Sequence, residues 1–364
     1  MTDELTQTAL VPLVPASAEI ALPDELIERA EVYAARALAE CSRAAYQKWW
    51  TRFEAWAERH GRQALPASPE TLAAWIVDLA DGATTGRPLA KASINQAIAG
   101  VVWVHRNAGH SVDRKARAIS LVWAGVSRTK NMERPVRRVA PFMIDDLADL
   151  LNILDRKKLI GCRDAALFTL GFSAALRRAE LTGLDLGELG SGIGYVRITE
   201  RGIVVTLVRS KSSQDAATEI AIPRADRPEA IEALEQWIER AHIQPGTPLM
   251  RSVNNRGVVS EDRLTPHSIA RICKRAARKV ARARGLTFEA ADALAHQTSG
   301  HSLRAGLVSS AAAANVPALK IAQLSRHSSL EMVMVYVRQV ERFTESPHKS
   351  IQPTRRAMPN VSGS

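Results

Sequence analysis

Cysteine is scarce in this chain. Cys41, Cys162 and Cys273 lie far apart and form no CxxC pair. That spacing speaks against a zinc site and against a disulfide framework, and fits a reduced, intracellular setting. No run of 18 apolar residues occurs, so no membrane span is expected. Asp3 and Glu4 stand where a secretory leader carries positive charge, so no leader is expected either. No strand-like alternation precedes residue 190, and no internal repeat is visible. Acid is also in deficit. Asp and Glu number 38 against 49 Lys and Arg, a formal net charge of +11, with a sequence pI of about 9.9. Such a surplus favours a polyanionic partner, nucleic acid first and an acidic membrane second.

What is present fits about two globular domains in 364 residues, 46% hydrophobic and 24% charged. Residues 1–22 have no period and read as a flexible arm. Pro23-Asp24 opens a helical region. Tyr46, Trp49, Trp50, Phe53 and Trp56 recur at spacings of three and four, one face of a helix ended by Gly61. That face serves core packing, with base stacking as the alternative. Ser68 and Pro69 read as N-cap and first residue of the next helix, whose apolar side is Leu72, Trp75, Ile76 and Leu79. Helices over 89–108 and 112–127 complete an all-helical domain over 23–127. His105 shares a face with Ile94, Ile98 and Val101 and reads as a helix-face residue rather than a ligand. Residues 128–141, RTKNMERPVRRVAP, form a basic connector, either solvated or crossing a phosphate backbone.

The second domain spans 142–345. Helices are expected over 142–155, 161–173 and 177–184. The runs 194–200, 202–209 and 217–223 are expected to form a short antiparallel sheet. Helices resume over 226–242 and 266–284, then run from 301 to about 343, before a loose tail over 346–364. The fold class is mainly α with a small antiparallel β-sheet (α+β). The 266–284 helix, capped by Thr265 and opened by Pro266, carries Arg271, Lys274, Arg275, Arg278, Lys279, Arg282 and Arg284 with no acid among them. Ile269, Ile272, Ala276 and Val280 occupy another face. Calmodulin-target and membrane-surface helices share that pattern, but the mixed fold around it favours a DNA-facing helix.

Five signals in this domain carry chemistry. AALRRAELTGLDL (174–186) places Arg177 and Glu180 three apart. VRSKSSQ (208–214) puts Lys211 at a tip between strands. SGHSLRAG (299–306) supplies His301 and Arg304, LSRHSSLEM (324–332) supplies His327, and MVMVYVRQ (332–339) supplies Tyr336 nine residues later. Singly, each has a bland reading: a surface ion pair, a hairpin lysine, a helix cap, a core tyrosine. In this order they resemble the tyrosine recombinases, the phage-type integrase family, with a likeness to its Cre-like members over about 44–343. The helical domain is similar to the family's core-binding (SAM-like) DNA-binding domain.

The resemblance implies a C-shaped clamp on double-stranded DNA. It further implies a site-specific recombinase that breaks and rejoins strands through a 3′-phosphotyrosyl link at Tyr336. Arg177 and Arg304 would hold the phosphate oxygens, since guanidinium stays charged and grips two oxygens at once. His301 and His327 would donate hydrogen bonds, with His301 also able to take the tyrosine proton. Glu180 would orient the network, and Lys211 would protonate the departing 5′-oxygen. Neither cofactor nor metal is called for. An unassisted tyrosine of pKa about 10 would cost roughly 4 kcal/mol to ionise at pH 7, so the fold must bring the arginines beside Tyr336. Asn95 and Gln96 on one helix, and Arg271, Lys274, Arg275 and Arg278 on another, are the candidate DNA contacts. A homotetramer on two paired sites, working in the cytoplasm on the DNA, is implied too. Two positions depart from the family pattern: Ala175 and Arg326 stand where glycine is common. Arg326 is expected to add a phosphate contact or to alter the turn. Pro347 limits any C-terminal docking helix begun by Val340 and Phe343. Three other readings stand beside it: a sequence-specific DNA binder without catalysis, a helical RNA- or membrane-associated scaffold that leaves the Arg, Lys, His-Arg, His, Tyr order unexplained, and a monomeric type IB topoisomerase.

Overall fold

The computed structural model describes residues 26, 29, 40–133, 139–208, 217–327 and 329–344. The chain divides into two compact units, Met1–Arg137 and Arg138–Ser364.

In the first unit the described helices are α1 (Glu40–Arg59), α2 (Pro69–Asp81), α3 (Lys91–Asn107) and α4 (Arg117–Glu133). The aromatic stripe of α1 is core: Trp49, Trp50, Phe53 and Trp56 are all buried, and the Phe53 ring lies 4.8 Å from that of Trp75. Base stacking is therefore not their role in this fold. α2 begins as its sequence dictates. The Ser68 hydroxyl accepts the Thr71 N–H at 3.2 Å, and Gly82 closes the helix at φ 85°. His105 is fully buried. Its Nε2 accepts the Ala67 N–H at 2.8 Å, so its Nδ1–H must donate to the Val101 carbonyl, also 2.8 Å away. Burial holds its pKa below the ordinary value; the Val101 bond opposes that only in part. α4 runs six residues further than expected, to Glu133. Arg128, Lys130, Met132 and Glu133 are good helix formers, and no proline intervenes before Pro135.

The second unit opens with α5 (Ile144–Ile153), α6 (Leu159–Ser173) and α7 (Arg178–Thr182). A four-stranded sheet follows, in the order β1 (Leu184–Leu186), β2 (Gly194–Thr199), β3 (Gly202–Leu207), β4 (Thr218–Pro223). β3 lies antiparallel to both neighbours, with Val205 opposite Val196 and Ile220. β1 instead pairs parallel with β2, so the sheet is mixed rather than purely antiparallel. At three residues β1 is too short to show a period. It is fixed by Asp185, whose carboxylate accepts the N–H groups of Gly190 and Gly192 and pairs with Arg263 at 2.6 Å. After α8 (Pro228–Arg240), a hairpin of β5 (Arg251–Val253) and β6 (Val259–Arg263) forms a second small sheet.

The remaining helices are α9 (Pro266–Ala283), α10 (Phe288–Gln297), α11 (Ser302–Ala313), α12 (Ala318–Ser325) and α13 (Leu330–Thr344). The helical segment expected from 301 to about 343 consists of three helices. Asn315 and Arg326 take left-handed φ values of 57° and 54°, and Pro317 precedes α12. α6 is buried along its whole length from Gly161 to Ser173 and forms the centre of the core. Strands β2–β4, α8 and the apolar face of α9 pack with it into one cluster.

Candidate active site

The site is built where α6 ends. The chain turns at Ala175, φ 47°, and Arg177 becomes the residue before α7. Glu180, on the first turn of α7, folds back. One carboxylate oxygen accepts the Arg177 backbone N–H at 2.9 Å and the other meets the Arg177 guanidinium at 2.6 Å. Glu180 is 2% exposed, whereas the Arg177 side chain keeps a quarter of its surface open. His301 precedes α11 and Arg304 sits in its first turn. Arg304 is 1% exposed. It donates from Nη1 to the Ala175 carbonyl at 2.9 Å and from Nη2 to the Arg326 carbonyl at 3.2 Å. Gly306 explains how α11 reaches this depth: a Cβ there would stand 1.7 Å from the Phe142 carbonyl oxygen.

Charge is concentrated here. Burial, then Arg177 and Arg326, draw Arg304 down to a pKa of about 10, which still leaves it charged at pH 7. Burial acts to raise the Glu180 pKa. The Arg177 N–H, the Arg326 charge and the Arg177 side chain outweigh it, so the net shift is downward and the carboxylate is ionised. Both histidines shift downward too, which for an imidazole favours the neutral form. His301 falls below its ordinary value through burial, then Arg304, Arg177 and Arg178. His327 is pushed to about 4 by burial and then by Arg304, Arg177, His301 and Arg326. At pH 7 each is a neutral imidazole with one N–H. His327 Nδ1 lies 2.6 Å from the Ser325 hydroxyl, itself 2.5 Å from the Ile321 carbonyl. Serine has one proton, and a carbonyl can only accept. Ser325 therefore gives its proton to Ile321 and receives one from His327 Nδ1–H, leaving His327 Nε2 an acceptor.

Tyr336 rides on α13. Val333, Tyr336 and Val337 share one helix face and pack against Val308 and Ala312 of α11 and Ile321 of α12. The Tyr336 ring centroid stands 6.5 Å from that of His327, and its hydroxyl is within electrostatic range of the Arg304 guanidinium. The fold thus brings Arg177, Glu180, His301, Arg304, His327 and Tyr336 together. Lys211 lies outside the described residues. Among the described residues, no three His, Cys, Asp or Glu side chains are grouped as a metal ion would need.

Arg326 is tied into this site more closely than its place in the sequence suggests. Its backbone keeps the left-handed turn, and Ala175 adopts the same region. Both are positions where glycine would be free of strain, and a residue with a Cβ costs about 1–2 kcal/mol there. The Arg326 guanidinium turns inward, with 8% of the side chain exposed. It donates to the Ala174 carbonyl at 3.0 Å, the Ala175 carbonyl at 3.2 Å and Glu180 Oε2 at 2.9 Å. The available signal was a long cation at a position suited to glycine, one residue before His327.

The candidate DNA contacts fall into two groups. Asn95 and Gln96 are exposed on α3 and line a surface hollow of about 410 Å³ with Tyr46, Ala92, Ser93 and Ala99. Asn95 accepts from Arg114 at 2.9 Å. On α9, Arg275 is paired with Asp164 at 2.9 Å and Arg278 with Asp292. Arg271 is exposed, Lys274 is half-buried, and neither has an ion-pair partner among the described residues.

Residues 142–342 match the Phage integrase family. The chain is 33% identical over 308 residues to an integrase/recombinase XerD homolog of Selenomonas ruminantium, covering 83% of this chain and 82% of that protein. It is 24% identical over 301 residues to recombinase cre of Escherichia phage P1, covering 80% and 81%. Among solved structures, the Tn1549 transposon integrase, in complex with transposon right end DNA, aligns over 87% of this chain and 98% of its own. The TM-score is 0.54 at 14% identity, a likeness of fold. With an arginine, histidine and tyrosine cluster in the matched region and relatives spanning both units, the chain belongs to the phage integrase family of tyrosine recombinases.

Proposed function

We propose that this chain is a site-specific DNA recombinase in which Tyr336 attacks a backbone phosphate. The phenolic oxygen forms a bond to phosphorus, the P–O5′ bond breaks, and the strand leaves with a free 5′-hydroxyl. Arg177 and Arg304 stabilise the charge that develops on the non-bridging oxygens. His301, neutral at pH 7, is suited to receive the tyrosine proton, and Lys211 protonates the departing oxygen. A 5′-hydroxyl from a partner strand then reverses the step. One phosphodiester is exchanged for another, so the bond energy is conserved through the phosphotyrosyl intermediate.

The observation that carries this reading is the placement of Tyr336. Its helix packs on the helix that bears Arg304, next to His327. Double-stranded DNA is the substrate, and the exposed Arg271 and half-buried Lys274 supply phosphate contacts from α9. Arg275 and Arg278 contact DNA by exchanging Asp164 and Asp292 for phosphate, with Asn95 and Gln96 reading from α3. Pairing two sites takes a homotetramer, acting in the cytoplasm where the DNA is.

The test starts from duplexes that the wild-type protein selects out of a random-sequence library. These are rebuilt with a nick beside the cleavage point, so that the short product strand diffuses away, and the mixture is denatured. A covalent protein–DNA band from wild type, absent in Tyr336→Phe, is expected. A wild-type protein that binds the duplex and never forms the band is a DNA binder and overturns the proposal. Strand exchange between two duplexes separates a recombinase from a topoisomerase.

A further inference from the structure

We infer that Arg326 is a positioning residue, a polar pin that holds the segment carrying His327 and Tyr336 against the phosphate-binding arginines. The inference rests on the proposed role of Tyr336. Three features carry it.

First, Arg326 joins separate parts of the site. Its guanidinium reaches the Ala174 and Ala175 carbonyls at the end of α6 and Glu180 on α7. Its own carbonyl accepts from Arg304 on α11. The Ala175 carbonyl receives both Arg304 and Arg326, so the two arginines lock each other across one turn. Glu180 bridges Arg326 to Arg177. Losing the Arg326 guanidinium thus frees the turn before α13, while Arg304 keeps its two carbonyl partners and Arg177 keeps Glu180.

Second, among the described side chains the buried apolar support beneath α13 is small. It rests on a small buried cluster of Val308, Ala312, Ile321 and Val333, separate from the large core of this unit. A polar clamp at the start of the 326–329 connection compensates for that.

Third, the position is strained. Arg326 holds φ 54° with its side chain almost wholly buried. Strain of this kind persists where surrounding interactions over-determine it, and it clusters at functional sites. A phosphate ligand would point its guanidinium to the open side of the site; this one is spent on carbonyls and on Glu180.

The full-length variants Arg326→Gly and Arg326→Lys test the inference. Glycine keeps the left-handed turn without steric cost, so the effect read is that of the missing guanidinium and not of the backbone. Hydrogen exchange of DNA-free protein is read first, because it needs no activity. Exchange over 327–338 should accelerate in Arg326→Gly while α11 and the sheet stay as in wild type. Cleavage of the nicked, selected duplex is read second. At saturating DNA the Arg326→Gly rate should fall on the order of 100-fold, the scale of a misplaced nucleophile. Its Kd for the duplex should stay within about twofold of wild type if phosphate contacts are untouched. Arg326→Lys, which keeps a charge opposite Glu180, should lie between. Unchanged exchange over 327–338 overturns the inference, and so does wild-type cleavage by Arg326→Gly. A loss confined to Kd, with a shallower salt dependence, makes Arg326 a direct phosphate contact and overturns it as well. Absence of a covalent band in wild type counts against the proposed function; the exchange result still decides the part played by Arg326.

Discussion

Glu180→Gln is the substitution whose consequence the structure defines best. Glutamine has the same shape but no charge. In the native site Glu180 is the acidic member of a group that contains Arg177, Arg304 and Arg326, and its side chain is 3% exposed. Arg326, at 8% exposure, loses its ionic partner outright. The amide can accept with one oxygen only, so its NH2 group must face a guanidinium, donor against donor. Removing one partner of a buried ion pair costs about 3–5 kcal/mol. The partly open Arg177 adds less, because water screens it. For a unit of this size each kcal/mol moves the melting temperature by roughly 2–4 °C, so a depression of roughly 6 °C or more is expected in low salt. The transition of the second unit is followed by the fluorescence of Trp237, the one tryptophan beyond residue 137, in a background where the other six are replaced by phenylalanine. The uncompensated cations should also make the variant gain more stability from added duplex than wild type does. Glu180→Gln melting within about 2 °C of wild type, below the shift that 1 kcal/mol produces, would refute the claim that Glu180 neutralises buried charge here.

Three further outcomes are expected. His105 has its pKa lowered by burial, so the unfolded chain takes up the proton first. Stability of the helical unit should be full above about pH 6.5 and fall as pH drops below it, and urea midpoints of His105→Gln should lose that component. His327 obeys the same sign, stable above about 6.5 and destabilising from there toward its native value of about 4. A bound phosphate reverses the push of the arginines, so calorimetry at pH 5.5 in buffers of different ionisation heat should show proton uptake on DNA binding, and equal heats would count against it. Gly306→Ala must displace α11 from the Phe142 carbonyl and should cost about 1–3 kcal/mol, read as a lower melting temperature with slower cleavage.

The elements that were legible have strong local signals. α2 carries Ser68, Pro69 and Gly82 at its ends, and α9 carries Thr265 and Pro266 with a clean apolar face. The parts that were not legible depend on distant partners. β1 is three residues long and exists because Asp185 is held by Arg263 and by the N–H groups of Gly190 and Gly192. The breaks between α11, α12 and α13 carry only local marks in the sequence, Asn315 with Pro317 at the first and the polar run Ser325–Ser329 at the second. α10 has a capping threonine at Thr287, whose hydroxyl accepts the Ala290 N–H at 3.2 Å, but its face is weak, with Phe288 61% exposed.

The site itself was legible as a set of residue types, because Arg177, Glu180, His301, Arg304, His327 and Tyr336 keep spacings that a helix or a turn must honour. Their protonation was not. A sequence gives no sign that both histidines would be neutral, since that follows from burial beside guanidinium groups contributed by α7, α11 and the turn before α13. Arg326 shows the same limit from the other side. At a position suited to glycine, a long cation looks like a surface residue with a phosphate to meet. In the fold its charge is answered by Glu180, 146 residues earlier in the chain. That pairing changes what the site can do before DNA arrives. One carboxylate shared between Arg177 and Arg326 leaves Arg304, which bonds only to carbonyl oxygens, as the guanidinium with no ionic partner among the described residues. A phosphate is the natural complement of that residue, and the net positive charge of the cluster is the physical reason to expect one.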